Sequence, residues 1–83
     1  LINMNTYETT HRALCPNGDL MDTYQITIRS QETIMVEDIL RTLKDSPSKI
    51  YQEDLATLLR AKLGAEVTVE GSHHGIHITS TRR

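Results

Sequence analysis

Eighty-three residues with 37% hydrophobic content leave room for one domain, 1–83, with a small core, and Trp and Phe are absent. A single cysteine excludes an internal disulfide and a multi-thiolate zinc site, so partner subunits are the expected source of added stability. Nine basic residues against eleven acidic ones, with no basic stripe, argue against direct nucleic-acid binding, and no apolar run reaches the ~18–20 residues of a membrane span. The amino end lacks the basic and apolar regions of a signal peptide, so a reducing cytoplasm is expected, with Met4 a plausible native start.

Residues 1–5 show no periodicity and read as a disordered or pairing lead-in. From Thr6 to Leu14 the chain is rich in Thr and Tyr, with Tyr7, Thr9, His11 and Ala13 on one face of an expected strand. Pro16-Asn17-Gly18-Asp19 is turn chemistry, because Asn-Gly readily supplies positive φ. Tyr24, Ile26 and Ile28 then alternate with Thr23, Gln25, Thr27 and Arg29, the pattern of a half-buried strand. The two strands form a hairpin that bends around Cys15 to Asp22.

The period changes at Val36, where Val36, Ile39, Leu40 and Leu43 form the stripe of an amphipathic helix. Asp45-Ser46-Pro47-Ser48 ends it, since proline cannot continue a helix. A second helix carries Tyr51, Leu55, Leu58 or Leu59, and Leu63 on one side, and Gly64 is its expected stop. Alternation returns over 65–70, a loop is expected over Gly71-Ser72-His73-His74-Gly75, and a last strand carries Ile76, Ile78 and Ser80. Arg82 and Arg83 read as a solvated tail. The order ββααββ predicts an α+β fold, a four-stranded antiparallel sheet with two antiparallel helices on one face.

Two positions stand out chemically. Cys15 is followed by proline, and Asp22 lies seven residues beyond it. A thiol is reactive as its thiolate, and a nearby acid able to return a proton completes a minimal covalent-catalysis pair. Each has a plainer reading: Cys15 as a small core residue, Asp22 as a solvated carboxylate at a strand start. Glu53, near the start of a helix, is favourable there through the macrodipole alone. His73, His74 and His77 cluster near the final turn, but a zinc site would need a further ligand from a distant hairpin, such as Cys15 or His11. No metal is expected, and His74 is the candidate histidine donor to a ligand.

The order ββααββ, the Leu14-Cys15-Pro16 turn and Asp22 together resemble the tunnelling fold. Within it they are most similar to the nitrile reductases that act on 7-cyano-7-deazaguanine in queuosine biosynthesis, with GTP cyclohydrolase I a more distant relative. That resemblance implies a thioimide formed at Cys15, proton donation by Asp22, and a homo-oligomeric barrel with its site between subunits. Tyr51-Gln52-Glu53-Asp54 resembles the family's His-Glu-Asp segment, which implies that Glu53 anchors a purine-, 7-deazapurine- or pterin-like edge, with Gln52 in the histidine's place. Gly75-Ile76-His77-Ile78 resembles the family's closing Gly-Ile-x-Ile segment. The reductases' Glu-Ser-Lys-Ser-Leu-Lys motif, linked to NADPH use, aligns with Glu37 onward, but its Ser-Lys-Ser core is missing. Amidine formation or hydrolysis at the thioimide would use the same three residues. A non-catalytic heterocycle-binding or assembly module of the same fold is the alternative.

Overall fold

The computed structural model describes residues 3–18 and 20–83. Its elements are β1 (Asn5–Leu14), β2 (Met21–Ser30), α1 (Val36–Asp45), α2 (Gln52–Leu63), β3 (Glu66–His73) and β4 (Ile76–Arg82). The strands form one sheet in the order β1-β2-β3-β4, with every neighbouring pair antiparallel. This is the α+β arrangement that the alternating and helical periods predict.

Residues of even number on β2 and odd number on β3 point to the helices. Tyr24, Ile26, Ile28, Val67 and Val69 are buried there against Leu55, Ala56 and Leu59 of α2 and Ile39 and Leu43 of α1. The opposite face is polar, where Arg29 lies 3.4 Å from Glu66 and Thr68 bonds Thr81 at 3.2 Å. Gly64 ends α2 in the left-handed conformation (φ 64°), its N–H donating to the Arg60 carbonyl at 3.0 Å. Ser46, the residue before Pro47, is extended and closes α1.

Several boundaries differ from the sequence expectation. Asn5 already pairs with Ser30, so β1 takes in the last residue of the expected lead-in; Leu1 and Ile2 lie outside the described residues. β3 continues through Gly71 and Ser72 to His73, because each finds a partner on β4, and the turn shrinks to His74-Gly75. Both turn residues have positive φ, 52° and 81°, as a tight hairpin turn requires. Arg82 is not a tail residue: it pairs with Val67, and its Nε donates to Thr57 Oγ1 at 3.0 Å. The α1 stripe is half as wide as its spacing suggests. Ile39 and Leu43 are buried, whereas Val36 and Leu40 are each 55% exposed and flank an open groove beside β1. Among the described residues, no helix is long and apolar enough to cross a membrane.

One local contact does most to position the chemistry. The segment linking the helices runs parallel to the end of β1: Leu14 N–H donates to Ser48 O at 2.8 Å, and Ile50 N–H to Leu14 O at 3.1 Å. The residue after Leu14 is Cys15, and the residues after Ile50 open α2. The bridge therefore sets the thiol beside the first turn of α2.

Candidate active site

Cys15 leaves β1 and begins the turn. Its N–H faces Leu20 O at 3.4 Å, and its carbonyl accepts from Gly18 N–H at 3.1 Å. The side chain is only 9% exposed, at the edge of the core rather than sealed within it. A cleft of about 230 Å³ opens above it, lined by Cys15, Asp22, Tyr24, Gln52, Glu53 and His73 among others.

The alternation of the sheet explains how Asp22 and His73 reach this cleft. Asp22 continues the helix-facing row of Tyr24, Ile26 and Ile28 beyond the area that α2 covers. His73 does the same for Val67, Val69 and Gly71 on β3. Each row is apolar under the helices and turns polar where the helices end. Cys15 Sγ, an Asp22 carboxylate oxygen and an His73 ring nitrogen all lie within 4.8 Å of one another. Cys15 and Asp22, expected to work together from their spacing, are thus close enough to exchange a proton directly or through one water.

Tyr24 belongs to the site as well as to the core. Its hydroxyl donates to Asp22 Oδ2 at 3.4 Å. Burial, followed by the charge and hydrogen bond of Asp22 and then the charges of Cys15 and Glu53, pushes its pKa up to about 12. The hydroxyl thus remains a donor throughout the neutral range. At the rim, Tyr51 Oη donates to Asn17 Oδ1 at 2.8 Å and ties the turn to the start of α2.

Gln52 is fixed by its surroundings. Its Nε2 donates to Val69 O at 2.8 Å and Ile78 O at 2.9 Å, with Ser80 Oγ at 3.3 Å. Two carbonyls can only accept, so the amide orientation is decided by its partners. Oε1 is what remains of this side chain for a ligand. Glu53, one residue on, is exposed and lines the same cleft.

The histidines divide. His73 lines the cleft, whereas His74 occupies the left-handed turn position outside it. His77 faces Glu70 on the open side of the sheet at 3.4 Å, and His11 Nε2 lies 3.5 Å from Ser46 Oγ. His74, the expected histidine donor, thus lies outside the cleft, and its neighbour His73 lines it. Tyr24 and His73 are the site residues that the sequence reading missed. Strand parity was the signal: 22 and 24 share one row, and 67, 69, 71 and 73 share another.

No family model matches the chain, and no curated protein matches it. Among solved structures, the crystal structure of the archaeosine synthase QueF-Like in the apo form superposes with a TM-score of 0.79. The match covers 95% of this chain and 90% of that one, at 18% sequence identity. The chain has the QueF-like tunnelling fold. The near-complete coverage of both chains means that the likeness includes all four strands and both helices of this fold.

Proposed function

We propose that the protein is a tunnelling-fold enzyme of queuosine- or archaeosine-type metabolism that binds a nitrile-bearing 7-deazapurine and engages it covalently through Cys15. One observation carries the reading: a thiol and a carboxylate lie within 4.8 Å of each other in a cleft that also receives Glu53. In the proposed step the Cys15 sulfur bonds to the nitrile carbon as one C–N π bond breaks. The thiol proton, held in transit by Asp22, ends on the nitrogen and leaves a thioimide. Glu53 accepts from the N–H edge of the ring, a charge-assisted pair that selects a guanine-like donor pattern. The solved neighbour that shares this fold is named an archaeosine synthase, and that name supports a 7-deazapurine substrate over a pterin.

Release of the thioimide is proposed through a nitrogen nucleophile rather than a hydride. Ammonia or an amine adding to the same carbon expels Cys15 as the thiol and leaves an amidine, with atoms and electrons in balance and no NADPH. The reductases' Ser-Lys-Ser core aligns with Asp38-Ile39-Leu40, and Ile39 is 4% exposed within the core. An aliphatic side chain thus stands where the motif has its lysine.

A second copy of the chain is proposed to complete the site. The cleft volume of about 230 Å³ is below the roughly 300–1,000 Å³ of pockets that enclose a ligand. β1 and β4 are open sheet edges, and Leu20 and Met21 are exposed beside the turn. The competing reading is a binding module that kept the pocket without the chemistry, favoured by Gln52, whose amide is fixed to the sheet where the reductases place a histidine.

Intact-mass measurement after incubation with 7-cyano-7-deazaguanine separates the readings. A mass gain equal to the ligand, lost in Cys15→Ala, is the expected result. Binding without an adduct assigns the protein to the module, and absence of both overturns the proposal.

A further inference from the structure

Cys15, Asp22 and His73 come from three separate places: the β1–β2 turn, the start of β2 and the end of β3. Their thiol, carboxylate and imidazole are the sulfur, oxygen and nitrogen donors that zinc accepts together. Among the described residues that line the cleft, the other charged group is Glu53, and no Lys or Arg is there to neutralise the two carboxylates. We infer that Cys15, Asp22 and His73 form a three-ligand site for Zn²⁺, with its fourth position open to the cleft.

Geometry favours closure around an ion. In a tetrahedral zinc site with bonds of about 2.0–2.3 Å, neighbouring donors stand roughly 3.5 Å apart. The three donors here lie within 4.8 Å, so closure needs a movement on the order of 1 Å. Cys15 is buried and Asp22 half-buried, its Oδ2 facing the Tyr24 hydroxyl at 3.4 Å, which makes these two the stiff part of the site. His73 is exposed and supplies the movement by rotating about its side-chain torsions.

Three protein ligands and one open position describe an open site rather than a closed structural one. Binding replaces the S–H bond of Cys15 with an S–Zn bond and releases the proton to solvent. While the ion is bound, it withdraws charge from the sulfur and occupies its cleft side, so the sulfur is a much weaker nucleophile than the free thiolate. Zinc is then a reversible brake on the chemistry at Cys15. That consequence rests on the function proposed above; the metal site does not.

The test uses the full chain with Co²⁺ as a spectroscopic substitute and contains no heterocycle, so its failure is distinct from failure of the proposed reaction. One equivalent of Co²⁺ is expected to produce a thiolate-to-cobalt charge-transfer band and the strong visible bands of a four-coordinate ion, both removed by Zn²⁺. Saturating Zn²⁺ is expected to block alkylation of Cys15 by iodoacetamide, and EDTA to restore it. His73→Ala, at an exposed position, is expected to raise the Zn²⁺ Kd about 100-fold or more with an unchanged circular dichroism spectrum. His77→Ala, on the opposite face of the sheet, is expected to leave it unchanged. Absence of the charge-transfer band overturns the inference, as does a His73→Ala Kd within about threefold of the native value, or loss of binding in His77→Ala.

Discussion

Gly71 and Tyr24 are in contact across the β2–β3 boundary, and the glycine is there for the ring. A Cβ added at Gly71 would lie 2.8 Å from Tyr24 Cδ1 and 3.1 Å from Gln52 Oε1. The missing side chain allows the ring to lie over β3 and its hydroxyl to meet Asp22. Gly71→Ala must displace a buried ring, and overpacking of this kind costs about 1–3 kcal/mol. Urea unfolding is expected to show that loss, and a smaller one when Gly71→Ala is made in a Tyr24→Leu background. An equal loss in both backgrounds would place the strain elsewhere.

Gln52 fastens the start of α2 to β3 and β4 and so sets where Glu53 emerges. Gln52→Ala removes bonds to two buried or half-buried carbonyls, with an expected cost of roughly 1–3 kcal/mol. Loosening the first turn of α2 also moves Glu53, so ligand affinity should fall even though the carboxylate remains. Equilibrium unfolding together with titration calorimetry checks both effects. Lost stability with native affinity would show that the clamp does not position Glu53.

Burial lowers the pKa of His11 below its usual 6.5. The folded protein thus favours the neutral ring, and on acidification the unfolded chain takes up the proton first. Stability is full above pH 6.5 and falls as the pH drops from there through the lower folded value. The denaturation midpoint of the wild type is expected to fall more between pH 7.5 and 5.5 than that of His11→Gln. Every other side chain is common to the two proteins, so the difference between them reports this ring alone.

What could be read from the residues in advance was whatever depends on local period. Tyr24, Ile26 and Ile28 announced a half-buried strand, Pro47 and Gly64 ended their helices, and Cys15 with Asp22 stood out as a pair. The remainder depends on pairing between distant segments. Gly71-Ser72-His73 has loop composition, yet β4 draws it into the sheet, and its glycine answers to Tyr24 rather than to a turn. Nothing local announces the bridge between Leu14 and Lys49, although it brings the thiol to α2. Val36 and Leu40 fit the helical stripe but lie beyond the strip of core that α1 covers.

The proposed roles of Asp22 and Glu53 differ in kind, and this gives a prediction that neither variant supplies alone. Glu53 acts by holding the ring, so Glu53→Gln exchanges a charge-assisted bond for a neutral one and should raise the Kd for 7-cyano-7-deazaguanine about 10–100-fold. At saturating ligand its rate of adduct formation should be close to native, because the carboxylate plays no part in the proton transfer. Asp22 acts on the reacting nitrogen, so Asp22→Asn should leave Kd within a few-fold of native and slow adduct formation roughly 10²–10⁴-fold. Asp22→Asn retains an oxygen that can accept from the Tyr24 hydroxyl, so the cleft keeps its shape and the lost rate reports the proton. Stopped-flow or quenched mass measurements across ligand concentrations separate the two constants. If Glu53→Gln lowered the saturated rate as far as Asp22→Asn does, the carboxylates would be working as one proton-handling unit, and the division between holding and chemistry would fall.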